Sequence, residues 1–178
     1  MTGDVSDGDV KSPRGSIVPP GCTLEEIDGR QVLRIPSNVT RVDTPIIFPG
    51  FTVVIEAPLF TVDGPSIVNA SIASEAIEAT ESHILTSKEI EVIGLLQAQS
   101  VRARIVRGAR IEAREIEADV SVRAAESIVV RRVSVRDGAV RAPRVISEEL
   151  HGENAADESF QWSDAVERGL VPEWLRDG

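Results

Sequence analysis

Between Ile67 and Leu150 an apolar residue returns every five or six positions, with almost nothing bulky in between. Ile67, Ile72, Ile77, Ile84, Ile90, Leu95, Val101, Val106, Ile111, Ile116, Val122, Ile128, Val135, Val140 and Val145 mark the beat, and three beats make about 17 residues. Matching residues recur at that lag. Ile67, Ile84, Val101, Ala118 and Val135 form one column; Ile111, Ile128 and Val145 a second; Ile116, Val133 and Leu150 a third; Ile105, Val122 and Ala139 a fourth. Within one coil, apolar and polar residues alternate, as from Val101 to Ile105 and from Ile116 to Val122, which sends one set inward and the other to solvent. The pattern predicts an all-β, single-domain β-solenoid, a parallel β-helix with three short strands per coil of about 17 residues.

A helix is the structural rival for part of this stretch, because Ile105, Ala109, Ala113, Ile116, Val120 and Ala124 also trace a stripe at spacings of three and four. Against it, Ile111, Val122, Ile128, Val130, Val133 and Val135 fall off the stripe and are β-branched, which suits a pleated surface. The lag also pairs charges on the outside: Arg102, Asp119 and Arg136 share a column, and Glu115 falls beside Arg132. Such pairs penalise a register slip more than they add stability. Arg114 beside Arg131 is the exception, two like charges in one column.

The flanks differ from the repeat. Residues 1–20 are rich in Asp, Gly, Ser and Pro and read as a disordered, flexible N-terminal tail. Residues 21–60 carry irregular strand-like pieces broken by Gly and Pro, and read as lead-in strands and a cap for the core at 61–150. Residues 151–178 form an acidic, flexible C-terminal tail with a short helix, in which Ser163 is the expected N-cap, Gly169 the stop and Pro172 the start of a second turn. Every aromatic residue lies outside the stretch from Thr61 to Ser159: Phe48, Phe51 and Phe60 before it, Phe160, Trp162 and Trp174 after it. A β-helix leaves a strand edge at each end, so these six rings are the candidate end-cap or assembly contacts, within one molecule or between two.

The formal net charge is −10, yet only Lys11 and Lys88 are lysines. This acidic, arginine-based balance resembles proteins of salt-loving archaea, where a Debye length of about 3 Å at 1 M salt removes long-range repulsion. A basic zone sits between the acidic flanks, with Arg102, Arg104, Arg107, Arg110, Arg114, Arg131, Arg132, Arg136, Arg141 and Arg144 as its candidate contacts. It has no stacking aromatics, so nucleic acid is not expected as a partner; the acidic tails of this chain or of a neighbour are.

Little in the sequence serves catalysis. Cys22 is the sole cysteine, and two histidines, His83 and His151, do not make a zinc site, so no cofactor, metal or small-molecule substrate is expected. His83 could act as the base of an acyltransferase-like β-helix, the least favoured reading; Gly94, Gly108 and Gly138 are isolated and build no phosphate loop. No signal peptide or membrane-spanning run is seen, so a cytoplasmic location is expected, with the inner face of the cell membrane as an alternative.

The stretch SVRARIVRGARIEAREIEADVSVRAAESIVVRRVSV, with its small aliphatic interior, its lag of 17 and its flanking tails, resembles the bactofilins, small cytoskeletal proteins. The likeness covers about Thr52 to Leu150 and is one of pattern. It implies a right-handed β-helix of triangular cross-section that assembles end to end without nucleotide into a scaffold for cell shape or protein positioning; the composition points to a haloarchaeal relative. The chain lacks the short apolar N-terminal segment that some members use to reach the membrane, and has few glycines at corners. The expected partners are therefore further copies of the chain or a related paralogue. The alternative function is a non-polymerising β-helix adaptor that regulates a related polymer.

Overall fold

A computed structural model of the chain describes residues 11–13, 16–64 and 69–176; Ile67 and most of the expected N-terminal tail lie outside these. The chain is a β-solenoid of about 7 turns, 68% strand and 6% helix, with parallel bridges about 18 residues apart. Its strands are β1 (Thr23–Ile27), β2 (Arg30–Ile35), β3 (Arg41–Val42), β4 (Ile46–Ile55), β5 (Leu59–Val62), β6 (Ala70–Leu85), β7 (Glu89–Val92), β8 (Leu95–Arg141), β9 (Arg144–Asn154) and β10 (Glu158–Gln161). Two short helices follow, α1 (Trp162–Glu167) and α2 (Glu173–Arg176). β8 stays extended for 47 residues around successive corners, since it contains no proline and only two glycines, Gly108 and Gly138, while its register to the neighbouring coils shifts at some of those corners.

Three interior columns show how the coils stack. Leu33, Val53, Ile77 and Leu96 lie directly beside one another on neighbouring strands; so do Phe60, Ile84 and Val101, and so do Ile46, Ile72, Ile90 and Val106. All are buried. A lag of 17 joins Ile84 to Val101, Ile128 to Val145 and Val133 to Leu150. It is not uniform, however. The chain takes 26 residues to pass from Ile46 to Ile72, 18 from Ile72 to Ile90, 16 from Ile90 to Val106, and 14 from Ile146 to Phe160. The first coil takes 20 residues from Leu33 to Val53, so the longest coil is the second, and those beyond it are shorter.

The long early coils have the room that bulky rings need. Phe48, Phe51 and Phe60 are all buried in the interior, and Phe48 meets Phe51 edge to face with centroids 5.4 Å apart. Farther along, the same interior is filled by Val, Ile and Ala. Polar side chains inside are satisfied: the hydroxyl of Ser71 donates to the Glu89 carbonyl at 3.2 Å and that of Ser82 to the Ile55 carbonyl at 3.0 Å.

Candidate functional site

The first edge strand runs against the grain of the solenoid. β1 pairs antiparallel with β2, and Ile27 faces Arg30 across a two-residue turn of Asp28 (φ 51°) and Gly29 (φ 78°). Asp-Gly with both φ positive is the turn that matches the twist of a hairpin. Arg34 joins this strand to the coils by bonding Glu25 at 2.7 Å and Glu56 at 2.8 Å, and the hydrogen bond from Arg34 holds the Glu25 carboxyl below its usual range. The three phenylalanines assigned to this end from the sequence do not cover the edge. They face inward, leaving the edge to β1.

The opposite edge is β10, which lies parallel to β9 with Phe160 beside Ile146. Phe160 is half-buried between the guanidinium groups of Arg144 and Arg168, 5.4 and 5.2 Å from its centroid. The chain then leaves the edge and turns back along one outer side of the solenoid. Trp162, Ala165, Val171 and Leu175 bury themselves against Val129 and Ile146, two apolar residues that point outward while Ile128, Val130 and Val145 point in. Trp162 thus begins α1, one residue ahead of the expected cap Ser163, and Gln161 takes the N-cap position without a side-chain bond. Gly169 (φ 72°) ends the helix: its N–H donates to the Val166 carbonyl at 3.1 Å and that of Leu170 to the Ala165 carbonyl at 2.9 Å, the Schellman arrangement.

This fold-back accounts for the column of like charges. Arg131 lies over the ring of Trp162, 5.3 Å from its centroid, and Arg114 Nη2 donates to the Trp174 carbonyl at 3.0 Å. Trp174 Nε1 in turn donates to Glu112 Oε1 at 3.1 Å. The two tryptophans are therefore lateral anchors, spaced along successive coils on one side.

Most of the arginine zone is stitched to carboxylates on neighbouring coils. Arg104 meets Glu89 at 3.1 Å, Arg107 meets Glu91 at 3.5 Å, Arg132 meets Glu115 at 3.2 Å and Arg144 meets Glu158 at 3.1 Å. Arg136 and Asp119 stand 3.9 Å apart in the column read from the sequence, whereas Arg102 reaches Glu117, also at 3.9 Å, rather than Asp119. Arg110 and Arg141 are exposed. A surface so interleaved presents alternating signs.

His83 sits on an exposed ladder between Leu59 and Ser100, with Nδ1 2.6 Å from the Ser100 hydroxyl. The pair opens onto a shallow groove of about 530 Å³ lined by Gln99, Arg114, Arg132 and Glu148 among others. A Ser–His contact becomes a nucleophile only with an orienting group and an oxyanion site. Burial raises the pKa of the half-buried Cys22 thiol, away from the reactive thiolate. Among the described residues no three His, Cys, Asp or Glu side chains converge as metal ligands, and no helix is long and apolar enough to cross a membrane. Compared with protein-family models, with curated proteins and with solved structures, the chain finds no match in any of the three.

Proposed function

We propose that this chain is a non-enzymatic scaffold of bactofilin type, which self-assembles through its solenoid ends without nucleotide and supports cell shape or the positioning of other proteins. The observation that carries the reading is the placement of β1 and β10 as the outermost strands of one continuous ladder. Each end of the solenoid is a strand edge, and an edge is a template for another chain. The acidic, lysine-poor surface supports a setting of high salt, where repulsion between acidic ends is screened. Negative-stain microscopy of the purified chain, without nucleotide or metal, at low and high salt tests it. Filaments are expected; dispersed particles at every salt concentration overturn it.

The reversed direction of β1 favours a second reading. An antiparallel strand ends the parallel ladder differently from a further coil, and Glu25 and Glu26 on it blunt the edge. A chain capped there is a non-polymerising adaptor that engages a related polymer through its other end. Discrete particles that bind along or at the tips of a related filament distinguish it from the scaffold.

A further inference from the structure

Most arginines of the solenoid meet a carboxylate on a neighbouring coil, but one row largely does not. Val106, Val122 and Val140 point inward with 0% exposure, and each is followed by an exposed arginine: Arg107, Arg123 and Arg141. The registers stack these three on successive coils. Val122 follows Val106 after 16 residues, the interval that also separates Ile90 from its neighbour Val106. Gly138 lies against the Val120 carbonyl, which puts Arg141 beside Arg123 three residues farther on. Arg107 reaches Glu91 at 3.5 Å and Glu89 at 4.0 Å, whereas Arg123 and Arg141 make no ion pair among the described residues. Two positions along each coil, on the same outer side, runs an apolar row of Ile93, Ala109, Ala125 and Pro143. Ile93 is 73% exposed, more than any other large apolar side chain described. Acids bound this row. Glu75 precedes Ile93, since Ser74 pairs with Val92, and Asp157 follows Pro143, since the Asp157 N–H donates to the Ala142 carbonyl at 3.3 Å.

We infer that this face docks an amphipathic helix of a partner protein, laid along the solenoid axis, with one row of carboxylates on the arginines and an adjoining apolar row on Ile93, Ala109 and Ala125. The spacing selects a helix. Successive coils stand about 4.8 Å apart and successive helical turns about 5.4 Å, so one acid per turn stays within about 1.2 Å of register across the three arginines. An extended peptide presents a side chain to one side about every 6.8 Å and slips by about 4 Å over the same span. The apolar row spans about 14 Å between its bounding acids, close to three helical turns. Arginines beside an apolar strip match a helix that carries both kinds of residue on one side, the usual anchors of helix docking. The face has no aromatic side chain on which bases could stack, which disfavours nucleic acid. A flat anionic bilayer would press on Glu75 and Asp157 as it reached the arginines. The contact is lateral and does not depend on assembly through the ends.

The test is fluorescence anisotropy of a labelled synthetic helix of roughly 15 residues, with glutamates at i, i+4, i+7 and i+11 beside a row of leucines, titrated with the full chain. Saturable binding is expected, weakened by about tenfold or more in a variant carrying Arg123→Glu and Arg141→Glu. Ile93→Ser should weaken it as well. These side chains are exposed, and circular dichroism verifies that the variants keep the parent's fold. Arg102→Glu with Arg132→Glu changes the net charge equally on the side that carries His83, and should leave binding as in the parent. A parent chain that does not bind the helix overturns the proposal, as does equal binding of a scrambled peptide of the same composition. Equal weakening by the Arg102 and Arg132 changes overturns it too. So does sedimentation of the parent with phosphatidylglycerol vesicles that is lost on reversing Arg123 and Arg141, an outcome that makes the face a membrane surface.

Discussion

Arg114 donates from Nη2 to the carbonyl of Trp174 at 3.0 Å, across 60 positions of sequence. The bond ties the second helix of the C-terminal segment to a coil three turns before the one where that segment departs. Arg114→Ala therefore loosens the segment without touching the core. A lost hydrogen bond to a charged group is worth about 1.5 kcal/mol, so hydrogen exchange at amides 165–176 should speed up by roughly tenfold. Exchange in the strand around Ile84 should stay as it was.

Phe48 fills the interior of a long early coil, edge to face with Phe51. Phe48→Ala leaves a cavity there, and urea unfolding should show a loss of about 3–5 kcal/mol. A ring that merely covered an end would give a much smaller loss together with a change in association.

Gly138 stands at a corner where the register between β8 and β9 shifts, and a Cβ on it would lie 1.9 Å from the Val120 carbonyl oxygen. Backbone cannot yield as a side-chain tip can. Gly138→Ala should cost about 3 kcal/mol, read as a lowered denaturation midpoint. At Gly94 the nearest atom to an added Cβ is 3.1 Å away, so Gly94→Ala should cost visibly less.

Burial pushes the Asp63 carboxyl up, but the Ser87 N–H at 3.0 Å, the Ser87 hydroxyl at 2.8 Å, the Thr86 hydroxyl at 3.3 Å and the charge of Arg41 together hold its pKa below the usual value. A carboxyl lowered on folding adds stability above its unfolded pKa, about 3.9, and loses it as pH falls through the folded value. Asp63→Asn should cost about 1–2 kcal/mol near neutrality. The gap in melting temperature between parent and variant should close as pH is taken below about 4.

The middle of the fold is readable from the sequence because there the coils have equal lengths. Ile84 beside Val101, Ile128 beside Val145 and Glu115 against Arg132 all follow from one lag. The early coils defeat that lag, since their corners hold extra residues, such as Pro49 and Gly50 within the irregularity between Phe48 and Thr52. Those coils also admit phenylalanine, which an interior judged from Val and Ala columns does not suggest. The reversal of β1 had a sequence sign in Asp28-Gly29, a turn pair that fits a hairpin. The lateral seat of the tail had a sign as well. Ile128-Val129-Val130 breaks strict alternation, and Val145-Ile146 breaks it again one coil later, which puts a hydrophobic residue outside twice in the same column. What no spacing conveys is which part of the chain comes back to cover that column.

The two ends of the molecule are unlike in strand sense. One is edged by β1, which runs against its neighbour, and the other by β10, which runs with β9. A strand laid beside β10 in the sense of the coils continues a parallel run, whereas the same strand laid beside β1 makes an antiparallel pair. Any run of like-oriented copies would therefore change hydrogen-bond pattern at every junction, where β10 of one copy meets the reversed β1 of the next.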